Sequence, residues 1–265
     1  STLTDTIDGY STTAINANSV TTLTGTNAEI VAAYTADSNG TVIIDTDAKL
    51  TVSDSITHTQ ANVLNGYTSA AVTATISTTA IGDLDDIAGT GNAYTITVAT
   101  ADVTAAALNT VNAATTVNVT ATAVTEITGT AAQLATTYGG GITGLGNETI
   151  VLTDTTLAAA TLTPTVNNYS TVAINANSVE TLTGTNAEIL AVYTADTAAT
   201  VIVDTDADLE VSDSITVTEA NVLAGKTSGA VTATISTTAI ADLDDLTGTG
   251  NAYTITVADS QVTAA

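Results

Sequence analysis

The residues of this chain with the most chemical potential are carboxylates. Asp45 and Asp47 stand two apart in a strand-like run, and the run returns as Asp204 and Asp206, extended there by Asp208 and Glu210. Residues two apart on an extended strand point to one face, so the spacing predicts a ladder of acids along one side of a sheet. Such a ladder repels itself, and calcium, a hard cation taking six to eight oxygen ligands, would neutralise it. Asp45, Asp47, Asp204, Asp206, Asp208 and Glu210 are therefore the candidate metal ligands, with calcium as the ion and no other cofactor; the alternative is that these acids stay solvated and discourage lateral aggregation. The helix-loop-helix calcium loop is not its form, because Leu209 sits where that loop needs glycine and Ile215 where it needs its closing glutamate. Nor is the glycine-rich calcium nonapeptide of secreted β-rolls present, since Gly139–Gly146 reads GGGITGLG without the aspartate.

Catalytic chemistry finds less to work with. His58 is the single histidine, and where the surrounding sequence returns later in the chain its place is taken by Val217; a general base needs its partner and cannot alternate with valine. The cluster Asp83-Leu84-Asp85-Asp86, repeated at Asp242–Asp245, could supply the two carboxylates of a glycosidase. The chain has no Trp or Phe to stack on a sugar ring, however, and the cluster reads as a solvated turn. The glycine stretch lacks the Lys-Ser or Lys-Thr of a phosphate loop and reads as a turn. Cysteine is absent, which removes thiol nucleophiles, thiolate metal sites and disulfides together. The expectation is a protein that is not an enzyme.

The larger organisation is an internal repeat. Ala14–Asp37 returns as Ala173–Asp196, the register of 159 residues holds without a gap from Ser11 to Ala106, and roughly three-quarters of those positions match their copy. The expected organisation is a first large repeat, 1–159, followed by a partial second, 160–265, that copies 1–106. Residues Ser1–Tyr10 resemble Ala160–Tyr169 and carry neither the basic start nor the apolar core of a signal peptide, so the chain is expected to be a window on a longer array.

Composition narrows the partners. Asp and Glu number 27 against two lysines, Lys49 and Lys226, for a net charge of -25. Nucleic-acid backbones and anionic membrane surfaces need Lys and Arg, so both are excluded. No apolar run approaches the ~20 residues of a membrane span. The apolar residues are mostly Ala, Val, Ile and Leu, which suit a thin, regular core rather than an irregular one filled by aromatics.

Short β-branched runs at Thr13–Ala17, Val42–Thr46, Val72–Ile76, Thr95–Ala99, Thr116–Thr120 and Thr149–Leu152 predict strands. Helical patterns follow, clearest where Thr26 and Glu29 form a capping box before Ile30, Ala33 and Tyr34, which share a face. Thr185 with Glu188 and Thr130 with Gln133 repeat the box, while 59–64, 78–87 and 100–111 are looser. Six strand starts per 159 residues give about 26 residues per rung, within the ~20 to 29 of strand-plus-helix solenoids. The expected fold is an α/β repeat solenoid with a parallel β-sheet and short helices on its other side. The alternative is an all-β solenoid, a parallel β-helix, kept open by the extra strand-like run Leu50–Val52.

The phrases SVTTLTGTNAEI, AVTEITGTAAQL and GITGLGNETIVLTDTTLAA resemble the tandem repeats of giant secreted or cell-surface proteins of marine cyanobacteria. That resemblance implies an extracellular or cell-surface location and an architectural or adhesive role, and it brings no catalytic residues. The expected function is a structural segment of a long extracellular filament, stalk or surface layer, its partners being further repeats of the same chain. The alternative is a calcium-dependent adhesion module binding a glycan or a cell-surface partner through its acidic or Thr-rich face.

Overall fold

A computed structural model of the chain describes residues 2–261; Ala265, the sequence counterpart of Ala106, lies outside them. Strands and helices alternate: β1 Ile15–Ala17, β2 Thr22–Gly25, α1 Asn27–Ser38, β3 Val42–Ile44, β4 Lys49–Ile56, α2 His58–Asn65, β5 Val72–Ile76, α3 Ile81–Leu84, β6 Ala93–Thr95, β7 Asp102–Thr104 and α4 Ala105–Ala113. They continue as β8 Val119–Thr120, β9 Glu126–Gly129, α5 Ala131–Tyr138, β10 Ile142–Thr143, β11 Thr149–Leu152 and β12 Thr156–Ala158. After a helical turn at Thr161–Thr165 come β13 Ile174–Ala176, β14 Thr181–Gly184, α6 Asn186–Thr197, β15 Val201–Val203, β16 Asp208–Ile215, α7 Val217–Ala224, β17 Val231–Ile235, α8 Ile240–Leu243 and β18 Ala252–Thr254. The fold is α/β, and the helices set aside the all-β reading.

The chain forms two compact units, one of residues up to Val124 with Thr136–Leu145, the other of Thr125–Ala135 with the residues from Gly146 onward. In the first unit β1 pairs with β3, β8 with β10, and β2, β4, β5 and β6 form one sheet in that order. In the second, β9, β11, β13 and β15 pair in order, and β12, β14, β16, β17 and β18 make another sheet. Every one of these pairs is parallel. Partner residues lie close to one expected rung apart in sequence: Thr22 faces Lys49, Thr73 faces Ala93 and Glu126 faces Thr149. Parallel neighbours need a crossover, and each short helix with its loops is one. The single sheet of the sequence reading is thus several sheets, because most turns of chain carry two short strands rather than one; Leu50–Val52 is the start of β4.

Strand ends move for a physical reason. The run expected at Thr116–Thr120 is a strand only from Val119, because the buried Thr115 hydroxyl accepts from Tyr94 N (3.0 Å) and Val117 N (3.1 Å) and donates to Tyr94 O (2.7 Å). One side chain here replaces a rung of the ladder. Helix starts follow their caps. Thr57 and Gln60 form a full capping box, so α2 begins at His58, and Thr104 caps α4 at Ala105, leaving 102–104 as strand. Ala80 offers no side-chain cap, and α3 is a single turn. The glycine stretch is not one turn: it flanks β10, and Gly141 holds φ +84° with its Cα so close to Asn112 that a Cβ would fall 2.3 Å from the amide oxygen.

The core is thin and aliphatic, as composition required. Ile30, Leu50, Ile56, Leu64, Leu84, Leu108, Ile127, Leu134 and Ile150 are wholly or almost wholly enclosed. Ile30, Ala33 and Tyr34 are buried on one face of α1. Tyr34 stacks on Tyr67 at 4.7 Å and 8° between planes, whereas Lys226 takes Tyr67's place in the later copy. Among the described residues no helix is long and apolar enough to cross a membrane.

Tyr94 is fully enclosed, its hydroxyl has no hydrogen-bond partner, and burial pushes its pKa up to about 12. Ionisation is disfavoured in the fold, so the stability this represents is present below the free-tyrosine pKa near 10 and is lost as pH rises through about 12. Tyr94→Phe should leave stability at neutral pH within about 1 kcal/mol of wild type, since the hydroxyl makes no bond there. It should also remove part of the alkaline unfolding, which melting curves between neutrality and the alkaline range will read.

Candidate functional site

Among the described residues, six helices begin with an N–H that a side-chain oxygen from later in the chain accepts. Asn27 N donates to Asp54 Oδ1 (2.7 Å), His58 N to Thr78 Oγ1 (3.1 Å) and Ile81 N to Thr100 Oγ1 (2.9 Å). In the second unit Ala131 N donates to Asp154 Oδ2 (2.8 Å), Asn186 N to Asp213 Oδ1 (2.8 Å) and Ile240 N to Asp259 Oδ2 (2.6 Å). The first N–H groups of a helix have no partner within it, and a negative oxygen there also meets the favourable end of the helix dipole. Donor and acceptor are 19 to 27 residues apart, the separation of paired strands, so each bond fastens one turn of chain to the next. A register shift in the β4–β5 ladder falls between Thr51 and Ser55, and the matching shift in β16–β17 falls between Glu210 and Ser214. These bulges carry Asp54 and Asp213 out of the ladder and turn them to the helix starts, a known use of bulges.

Other acids are also held by backbone N–H groups. Glu29, Glu188 and Glu219 close their capping boxes. Asp37 accepts from Ile44 N at 2.8 Å and Asp196 from Val203 N at 3.3 Å. Glu148, buried, accepts from Gly146 N and Asn147 N. Hydroxyls take the converse role between turns of chain, donating to carbonyls: Thr68 to Ala48 O, Thr227 to Ala207 O, Ser170 to Glu148 O and Ser178 to Leu152 O.

The expected calcium ladder is not assembled as the spacing suggested. Asp45, Asp47, Asp204 and Asp206 lie in turns after β3 and β15, not on strands. The cause is local: Asp45 Oδ1 accepts from Asp47 N at 3.3 Å and Asp204 Oδ1 from Asp206 N at 3.4 Å, side-chain turns that end the strand. Asp208 and Glu210 do share the exposed face of β16, opposite Thr181 and Thr183 of β14; Asp208 also accepts from Ala230 N at 2.7 Å. In the first copy Lys49 and Thr51 stand in their places. Among the described residues no group of three or more His, Cys, Asp or Glu is placed to hold a metal ion. The Asp204 carboxylate, by hydrogen bond and by charge, raises the Asp206 pKa above its ordinary value, with Asp208 adding to the effect.

His58 is half-buried rather than simply exposed, and its Nδ1 lies 3.3 Å from Thr78 Oγ1, a hydroxyl where a general base would need a carboxylate to orient it. The corresponding surface in the second unit is an open groove of about 590 Å³ lined by Thr216, Val217, Thr218, Asn221, Asp242 and Asp245. It gathers two acids and hydroxyls around the valine that stands in for histidine. A second groove of about 440 Å³ runs along Thr183, Glu188, Glu210 and Thr232. Asn62 donates to Asp86 O and accepts from Ala88 N, and Asn221 likewise ties down Asp245 and Thr247, so the cluster Asp83–Asp86 and its copy begin in the last turn of α3 and α8 and end in a turn held by an asparagine. Comparison with protein-family models, curated proteins and solved structures finds no match to this chain.

Asp54→Ala should destabilise by about 1 kcal/mol, the usual cost of a lost helix cap, while Asp47→Ala should fall within about 0.5 kcal/mol of wild type; urea titration of both variants checks the contrast. The raised pKa of Asp206 means that its protonated form favours the fold, so this contribution is present at low pH and lost as pH rises through the folded value. Asp206→Asn should therefore raise the melting temperature at neutral pH, and the gain should shrink as pH falls into the carboxylate range.

Proposed function

We propose that this chain is a non-enzymatic structural segment of a long extracellular filament, stalk or surface layer, in which tandem repeats stack as one continuous α/β solenoid. The observation that carries the reading is the recurrence of structure with sequence. All nine elements from β1 to β6, helices included, return as β13 to β18, and both ends of every element are displaced by the period of the sequence repeat. Architecture of this kind derives stability from each turn of chain contacting its neighbours, so length can be added without a new core. The acids and hydroxyls that hold helix starts and strands support it, because their partners are chiefly the chain's own backbone. The net charge of -25 would keep long polymers apart in solution.

The chain contains no cysteine, so a pair of introduced thiols can be labelled cleanly. Ile43 and Ile202 are exposed counterparts. If six parallel rungs separate them at about 4.8 Å each, spin labels on Ile43→Cys and Ile202→Cys should lie about 29 Å apart. A separation of about 40 Å or more, well beyond six strand spacings, would mean compact domains strung as beads and would overturn the solenoid.

A further inference from the structure

We infer that the outer edge of β18, with Tyr253, Ile255 and Val257, is a docking surface for one further turn of chain of the sequence type Ala105–Val124. Strand β18 is the edge of its sheet. Tyr253 is half-buried, and Ile255 and Val257 are 44% and 45% exposed. Their counterparts in the first copy, Tyr94, Ile96 and Val98, are fully enclosed. The first unit shows what encloses them. Asn92 bridges to Thr115 and Thr97 to Thr120 in parallel fashion. Thr116 N donates to Asn92 O at 2.8 Å, Val98 N to Thr120 O at 2.8 Å and Thr120 N to Ile96 O at 3.0 Å.

The edge is already shaped for the same partner. Asn251 Oδ1 accepts from Val231 N at 2.9 Å, as Asn92 Oδ1 accepts from Val72 N at 2.8 Å. The sequence around the edge, Asn251–Val257, is identical to Asn92–Val98. Charge points the same way: in a chain of net charge -25, Ala105–Val124 carries no charged residue, and neither does Asn251–Val257. An apolar strand edge beside exposed isoleucine and valine takes a matching strand through main-chain bonds and alternate side chains. Leu108, Val111, Val119 and Ala121, all fully buried in the first unit, would supply the covering core.

The identity of the occupant rests on the tandem-array reading, but its test does not depend on filaments or on the labelled distance. The chain is extended after Ala265, the counterpart of Ala106, with the sequence of 107–124, and amide exchange is followed at Tyr253–Val257. A scrambled extension and the Thr115→Val form of the native segment serve as comparisons. The native extension should slow exchange at these amides by at least about tenfold. The scrambled one should leave it unchanged, and the Thr115→Val form should lose most of the protection. Unchanged exchange with the native extension, or equal slowing by the scramble, would overturn the proposal. So would loss of protection in β17, because a turn of chain that fits does not unsettle the sheet it joins.

Discussion

The structure depends on satisfying backbone N–H groups where helices begin and ladders are interrupted. Short helices make this acute: in an eight-residue helix half of the N–H groups fall in the first four positions and have no internal acceptor. This chain has many short helices and few long strands, so its burden of such groups is large. Oxygens from a later turn of chain accept a share of them, through Asp54, Asp154, Asp213 and Asp259 at helix starts and through Thr115 between strands; Thr68 and Thr227 accept from the N–H two residues on and donate to a carbonyl of the preceding turn. Each bond at a helix start serves local and long-range structure at once, since it completes a helix with a group supplied by its neighbour.

That constraint explains a composition that otherwise looks contradictory. A chain carrying 27 acids and two lysines should repel itself, yet carboxylate is the strongest acceptor a protein has for an N–H group. Threonine meets the complementary need, since its hydroxyl both accepts an N–H and donates to a carbonyl, as Thr115 does toward Tyr94 in both directions. Lysine and arginine can only donate, and the groups in short supply here are acceptors. The same economy of side-chain size suits the thin core, where alanine, valine and isoleucine fill narrow layers between closely spaced strands.

Much of the local fold was legible in the sequence. The capping boxes at Thr26, Thr130 and Thr185 and the strand Thr149–Leu152 needed only neighbouring residues to specify them. What could not be read were interactions whose two halves lie a whole turn of chain apart. Asp54 and Asp213 lie within strands by periodicity, and only the bulge, visible as a mismatch between two strands, reveals that they leave the ladder. Asp45 and Asp47 mislead for the opposite reason: the two-residue spacing that aligns side chains on a strand is also the spacing of an aspartate that bonds the N–H two residues on. A signal was available in the abrupt run of polar residues after Ile44, which suits a turn as well as a strand.

The differences between the two copies follow from the same separation of duties. Several positions that bond the backbone of another turn of chain are retained: Asp54 and Asp213, Thr68 and Thr227, Asn62 and Asn221, Asn92 and Asn251 are pairwise identical, while Thr100 gives way to Asp259, another oxygen acceptor for the same helix start. Change falls elsewhere as well: Lys49 gives way to Asp208, which accepts from Ala230 N, half-buried His58 gives way to the buried Val217, and Tyr67 exchanges an aromatic stack for Lys226. The retained groups of this kind make the same bond in both copies, so one turn of chain is held to the next in the same way each time.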